Sequence, residues 1–171
     1  VGEVETYKKL EKMAGLLVGK DKHDEAIDLY NHLIEHDKVN ASVVEYMDAI
    51  LEIRHGIGSV PELEVFINRF LTMFDKKAKW HASNQRDSEL LDRVDEIAST
   101  QLHWLANNFH VTAEKNQKKR LPHDVQYSKA AKYYSQFINL FPEHKKSYKV
   151  SYDYAEILYW ELEDYAKAAE Q

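Results

Sequence analysis

His23-Asp24-Glu25-Ala26-Ile27-Asp28-Leu29-Tyr30 and Tyr127-Ser128-Lys129-Ala130-Ala131-Lys132-Tyr133-Tyr134 are the two stretches that decide the fold. In each, an alanine lies three residues beyond a histidine or tyrosine, and another tyrosine follows that alanine by four. Residues three and four apart are neighbours on one helix face, so each stretch puts its small residue and its rings on a common side. The start of the pattern returns in Tyr165-Ala166-Lys167-Ala168-Ala169 near the end of the chain. A motif that recurs along a chain marks a repeat architecture, in which units bury their apolar faces on one another.

Outward from these stretches, apolar residues recur at three- and four-residue spacing almost everywhere, and alternation of period two is nowhere sustained. The spacing predicts seven helices, over about 4–18, 24–36, 41–55, 61–74, 87–116, 125–141 and 146–162. The last residues, from Tyr165, give a truncated eighth. Gly19-Lys20-Asp21-Lys22 forms a polar turn between the first two. Pro61 and Pro122 open helices and Pro142 closes one, positions where a missing N–H costs least. Ser42 with Glu45, and Ser59 with Glu62, have the spacing of a capping box. The stripe over 87–116 predicts one long helix, with Asn107-Asn108 as the place where it would break. The stretch 75–86 reads as a polar separator interrupted by Trp80.

The repeated motif resembles the tetratricopeptide repeat. In that family a small residue opens the second helix of a pair, an aromatic follows one turn later, and a proline ends the helix. Ala130, Tyr134, Phe137 and Pro142 match those positions, as do Ala26, Tyr30 and Leu33, with Lys38 in place of the proline. Leu10, Met13, Ala14 and Leu17 match the first helix of a pair, as do Tyr152, Ala155 and Tyr159, whereas Glu156 stands where a small residue is usual. The match is firm over about half the chain; over about 40–120 it rests on helix pattern alone.

The resemblance implies an all-α fold of antiparallel helix pairs stacked as a right-handed solenoid. It makes 1–171 a single repeat domain with pairs at 4–38, 41–75, 87–142 and an incomplete 146–171, part of a longer chain. The 38 residues from Ala130 to Ala168 exceed the family's usual period and resemble the long repeats of bacterial envelope lipoproteins, which leans to the periplasm or cell envelope, with the cytoplasm as the alternative.

Composition narrows the function. Hydrophobic residues at 44% and charged residues at 30% suit a folded chain rather than a disordered one. The 23 basic residues against 29 acidic ones leave a formal charge of −6, which gives no electrostatic reason to seek a phosphate backbone. No cysteine is present, so disulfides, thiolate zinc sites and cysteine nucleophiles are excluded. No apolar run reaches the ~18 residues a membrane helix needs.

The sharpest catalytic pattern is His32-Leu33-Ile34-Glu35-His36. Histidines at i and i+4 share a helix face and could hold zinc, with Glu35 as general base of a hydrolase. Leu33 and Ile34 point into the repeat core, and no third ligand is apparent, so the string reads as two surface histidines flanking a core helix. His103 and His110, seven apart, read as a solvated flank, and His23, His55, His81, His123 and His144 are scattered. Asp92, Asp95 and Glu96 interleave with Val94 and Ile97 as a wet helix face does. Lys115, Lys118, Lys119 and Arg120 read as a solvated helix end rather than a phosphate site. No metal, cofactor or catalytic set is expected.

The remaining reading is a scaffold that binds a protein or peptide, with a purely structural spacer as the alternative. Tetratricopeptide repeats hold partners along the concave face of their first helices. The resemblance puts Met47, Leu51 and Arg54 of the third helix there, with Val150, Asp153, Ile157 and Trp160 of the seventh. Eight of the eleven tyrosines lie between residues 127 and 165, most at core positions of the repeat. Trp160 falls outside that core, either as an anchor for a partner or packed on a following repeat.

Overall fold

The computed structural model describes residues 2–171, with side chains from residue 5. Val1, where the chain begins, and the side chain of Val4, expected to open the first helix, lie outside the described residues. Among these there is no strand, and nine helices follow one another: α1 (Gly2–Val18), α2 (His23–His36), α3 (Val43–Ile57), α4 (Val60–Met73), α5 (Lys79–Asn84), α6 (Ser88–Lys118), α7 (Asp124–Leu140), α8 (Ser147–Glu156) and α9 (Tyr165–Glu170). Between α8 and α9 one π-helical turn covers Ile157–Glu161. The long stripe forms one helix through Asn107 and Asn108. The chain divides into two compact units, residues 1–97 and 98–171, with the division inside α6.

In the first unit α1 packs on α2, α2 on α3 and α3 on α4. Ala14 and Ala26 are wholly buried, so backbones approach closely where the motif put small residues. Ile34, Met47, Ile50, Leu51, Ile67 and Phe70 fill the layer between helices. Polar ties lock its edges. Tyr46 Oη donates a short hydrogen bond to Glu11, joining α3 to α1. Arg69 joins α4 to α2 by donating to Asn31 Oδ1 at 2.7 Å and pairing with Glu35 at 3.5 Å.

The separator 75–86 is a correction to the polar reading. Trp80 turns it into the short helix α5: the indole is 1% exposed and meets Phe74 edge-on at 4.6 Å. Its Nε1–H donates to Asn40 O at 2.9 Å, and Asn84 Nδ2 donates to Val39 O at 2.9 Å. Polar neighbours hid it because one large ring suffices to anchor a two-turn helix.

The caps differ from each other. Glu62 accepts from both the N–H and the hydroxyl of Ser59, at 2.8 and 2.9 Å, so α4 starts as expected. Ser42 makes no such cap to α3. Its N–H donates instead to Asn40 Oδ1 at 2.9 Å, because the loop before α3 is itself a turn. Gly58 is required at the end of α3, where an added Cβ would lie 2.6 Å from Arg54 O.

In the second unit α7 packs on α8 and on the π turn. Tyr133, Tyr134 and Phe137 of α7 are buried with Leu102, Leu105 and Phe109 of α6. The rings of Phe109 and Tyr133 stack at 6.0 Å, and Ser147 Oγ closes the α7–α8 turn on Phe141 O at 2.6 Å. α1 and α6 end on non-glycine residues in the left-handed region, Asp21 (φ 56°) and Arg120 (φ 58°).

Candidate functional site: an aromatic face on the second unit

The core stripe of α8 and the turn after it takes Ser147, Val150, Tyr154, Ile157 and Leu158. Everything else aromatic there is left outside. Tyr148 is 87% exposed and Trp160 71%, and Tyr152, Tyr159 and Tyr165 are also exposed. Tyr148 and Tyr152, four residues apart, share one side of α8. Tyr159 is the hinge of the cluster, with ring centres 4.7 Å from Trp160 and 5.1 Å from Tyr165.

The π turn sets this arrangement. Leu162 N–H reaches back five residues to Ile157 O at 3.0 Å, and Asp164 N–H six residues to Leu158 O at 2.8 Å. The extra residue rotates Tyr159 and Trp160 away from where an unbroken α-helix would carry them, and such turns are frequent at functional sites.

Both lysines of the face are paired within it. Lys149 Nζ donates to both Asp153 oxygens at 2.8 Å. Asp164 caps α9 and pairs with Lys167 at 2.7 Å, whose ammonium holds the carboxyl below its ordinary range. Tyr152 Oη donates to Glu156 Oε1 at 3.1 Å, and that bond raises the phenol's pKa. The face therefore offers rings in an acidic frame, since residues 147–171 hold carboxylates at 153, 156, 161, 163, 164 and 170 against two lysines.

The seven residues expected to line a groove separate by burial. Met47, Leu51, Val150 and Ile157 have at most 1% of their surface open and serve the cores of their units. The correction has a simple cause: each also lies on the apolar stripe of its helix, and the stripe faces the neighbouring helix. Arg54 is half-buried, its guanidinium 5.6 Å from the centre of the Phe66 ring, and Asp153 is held by Lys149. Trp160 alone of the seven is broadly exposed.

Among the tyrosines expected in the core, Tyr127, Tyr133, Tyr134 and Tyr154 are buried. Tyr148, Tyr152, Tyr159 and Tyr165 are not. For Tyr148, Tyr152 and Tyr159 the signal is present in the sequence, because they fall out of phase with Val150, Tyr154 and Ile157; Tyr165 opens a separate helix.

The histidines also resolve. His36 stacks on Tyr7 at 4.0 Å, and Glu35 is taken up by Lys38 at 2.6 Å and by Arg69. Among the described residues no three His, Asp or Glu side chains converge as a metal site requires. His103 and His110 are not a solvated flank: they face α7. His103 meets Phe137 edge-on at 6.2 Å, and burial lowers its pKa, with Lys146 acting in the same direction. His110 Nδ1 lies 3.2 Å from Tyr134 Oη.

No described helix is long and apolar enough to cross a membrane. Comparison with family models, with curated proteins and with solved structures returns no match.

Proposed function

We propose that this chain is a non-catalytic binding module, part of a tetratricopeptide-like helical array, whose second unit holds a partner protein or peptide on its aromatic face. The observation that carries the reading is the exposure of Trp160, 71% open beside Tyr159 and Tyr165. A ring of that size costs free energy in water, and tryptophan and tyrosine dominate the energetics of protein interfaces. The engagement of Glu35 and His36 within the first unit weighs against the zinc-hydrolase alternative.

The test is affinity capture from lysate of the source organism with wild type, Trp160→Ala and Tyr148→Ala side by side, followed by mass spectrometry. The reading expects a protein retained by wild type and lost, by roughly thirtyfold in affinity or about 2 kcal/mol, on Trp160→Ala. Circular dichroism should show the variant still folded, since the ring adds little to the core. Equal retention by all three proteins argues for a structural spacer instead.

A further inference from the structure

The first unit carries a separate pocket of about 590 Å³, bounded by α4, α5 and the loop between α2 and α3. Its volume lies in the range of small-molecule sites, roughly 300–1,000 Å³. The walls are apolar: Val39, Val65, Met73 and the indole of Trp80 line it. Val65 is 72% exposed on α4, the most exposed large aliphatic side chain among the described residues.

Two polar residues in the lining have their donors turned inward. Asn68 Nδ2 donates to Glu64 O at 2.7 Å and Thr72 Oγ1 to Asn68 O at 2.8 Å, both within α4. Bonded back to the helix, these side chains add carbon to the wall and little hydrogen-bonding demand.

The charged residues of the lining have one sign. Lys38, Arg69 and Lys79 belong to the lining, and no carboxylate does. Lys38 and Arg69 share a single acid, Glu35. Lys38 follows α2, Arg69 lies midway along α4, and Lys79 opens α5; an apolar ligand seated on Val65 and Met73 brings any anionic group it carries within reach of them. Both the guanidinium and the ammonium hold anions well where the apolar wall thins the water.

From this we infer a binding site for an organic anion with an apolar body, an aryl or alkyl carboxylate or sulfonate. The apolar part lies against Val39, Val65 and Met73 and the acid group faces Lys79 and Lys38. The site is independent of the aromatic face on the second unit.

The probe is 8-anilinonaphthalene-1-sulfonate, titrated against the intact chain and followed by fluorescence, with its uncharged analogue N-phenyl-1-naphthylamine beside it. The expected result is saturable binding of the sulfonate with one site lost, at least tenfold in affinity, on Val65→Asp and on Lys79→Glu. Both positions are exposed, so the fold survives the changes, which circular dichroism checks. Trp160→Ala leaves that site intact, and the analogue binds at least tenfold more weakly. Sulfonate binding that neither substitution alters, or an analogue that binds as tightly as the sulfonate, overturns the assignment.

Discussion

Trp80 does two things at once. It fills the space beside Phe74, and its indole N–H satisfies the carbonyl of Asn40 in the loop before α3. Trp80→Ala removes both, and the expected loss is about 3–5 kcal/mol, read by denaturant unfolding. Trp80→Phe keeps most of the apolar contact and should cost less, about 0.5–1.5 kcal/mol for one lost hydrogen bond, since Asn40 O still accepts from Val43 N–H.

Tyr46 and Tyr127 give a second residue-level prediction, in alkali. Burial first, then the hydrogen bond to Glu11, pushes Tyr46 up to about 12. Burial, then Glu161 and Glu114, does the same for Tyr127. Each folded phenol keeps its proton at a pH where the unfolded one, near 10, has lost it. The stability this gives is complete below pH 10 and is lost as pH rises through about 12. Unfolding midpoints between pH 9 and 12 should fall with pH, and less steeply in Tyr46→Phe. Trp80 was visible in the sequence as an interruption, but its depth was not, since nothing local says that a ring in a polar stretch will find Phe74 and Asn40.

At the scale of elements, the periodicity placed six of the seven expected helices to within a few residues at both ends, because apolar spacing and proline positions are local signals. The π turn was not legible: α8 was expected to run on to residue 162, and an i to i+5 bond depends on how Ile157 and Leu158 settle on α7. Capping gives a clean contrast. Ser59→Ala removes a hydroxyl that Glu62 accepts and should lower the unfolding midpoint, whereas Ser42→Ala, which caps nothing through its side chain, should change it less. The end of α6 offers the reverse effect. Arg120 holds a left-handed conformation that costs a non-glycine residue about 1 kcal/mol, so Arg120→Gly should stabilise the chain by up to about that amount in the same assay.

For the whole molecule, the all-helical class followed from composition and period. The arrangement of helices as a solenoid stays with the proposal. The candidate site was half legible. Trp160 stood out because it fell off the repeat's core positions, while its neighbours were assigned to the core by analogy with a consensus that this helix does not keep. Four of the seven expected groove residues turned out to be core, since a stripe pattern cannot tell which of its edges a neighbouring helix will cover.

The claim that the second unit binds a partner through its aromatic face is tested most directly by site-specific photo-crosslinking in cells of the source organism. p-Benzoylphenylalanine replaces Tyr148 in one strain and Val125, an exposed residue of α7, in another. The account predicts a covalent adduct of discrete mass from position 148, absent from position 125 and lost when Trp160→Ala is added. Adducts of equal yield from both positions, or none from position 148, would contradict it.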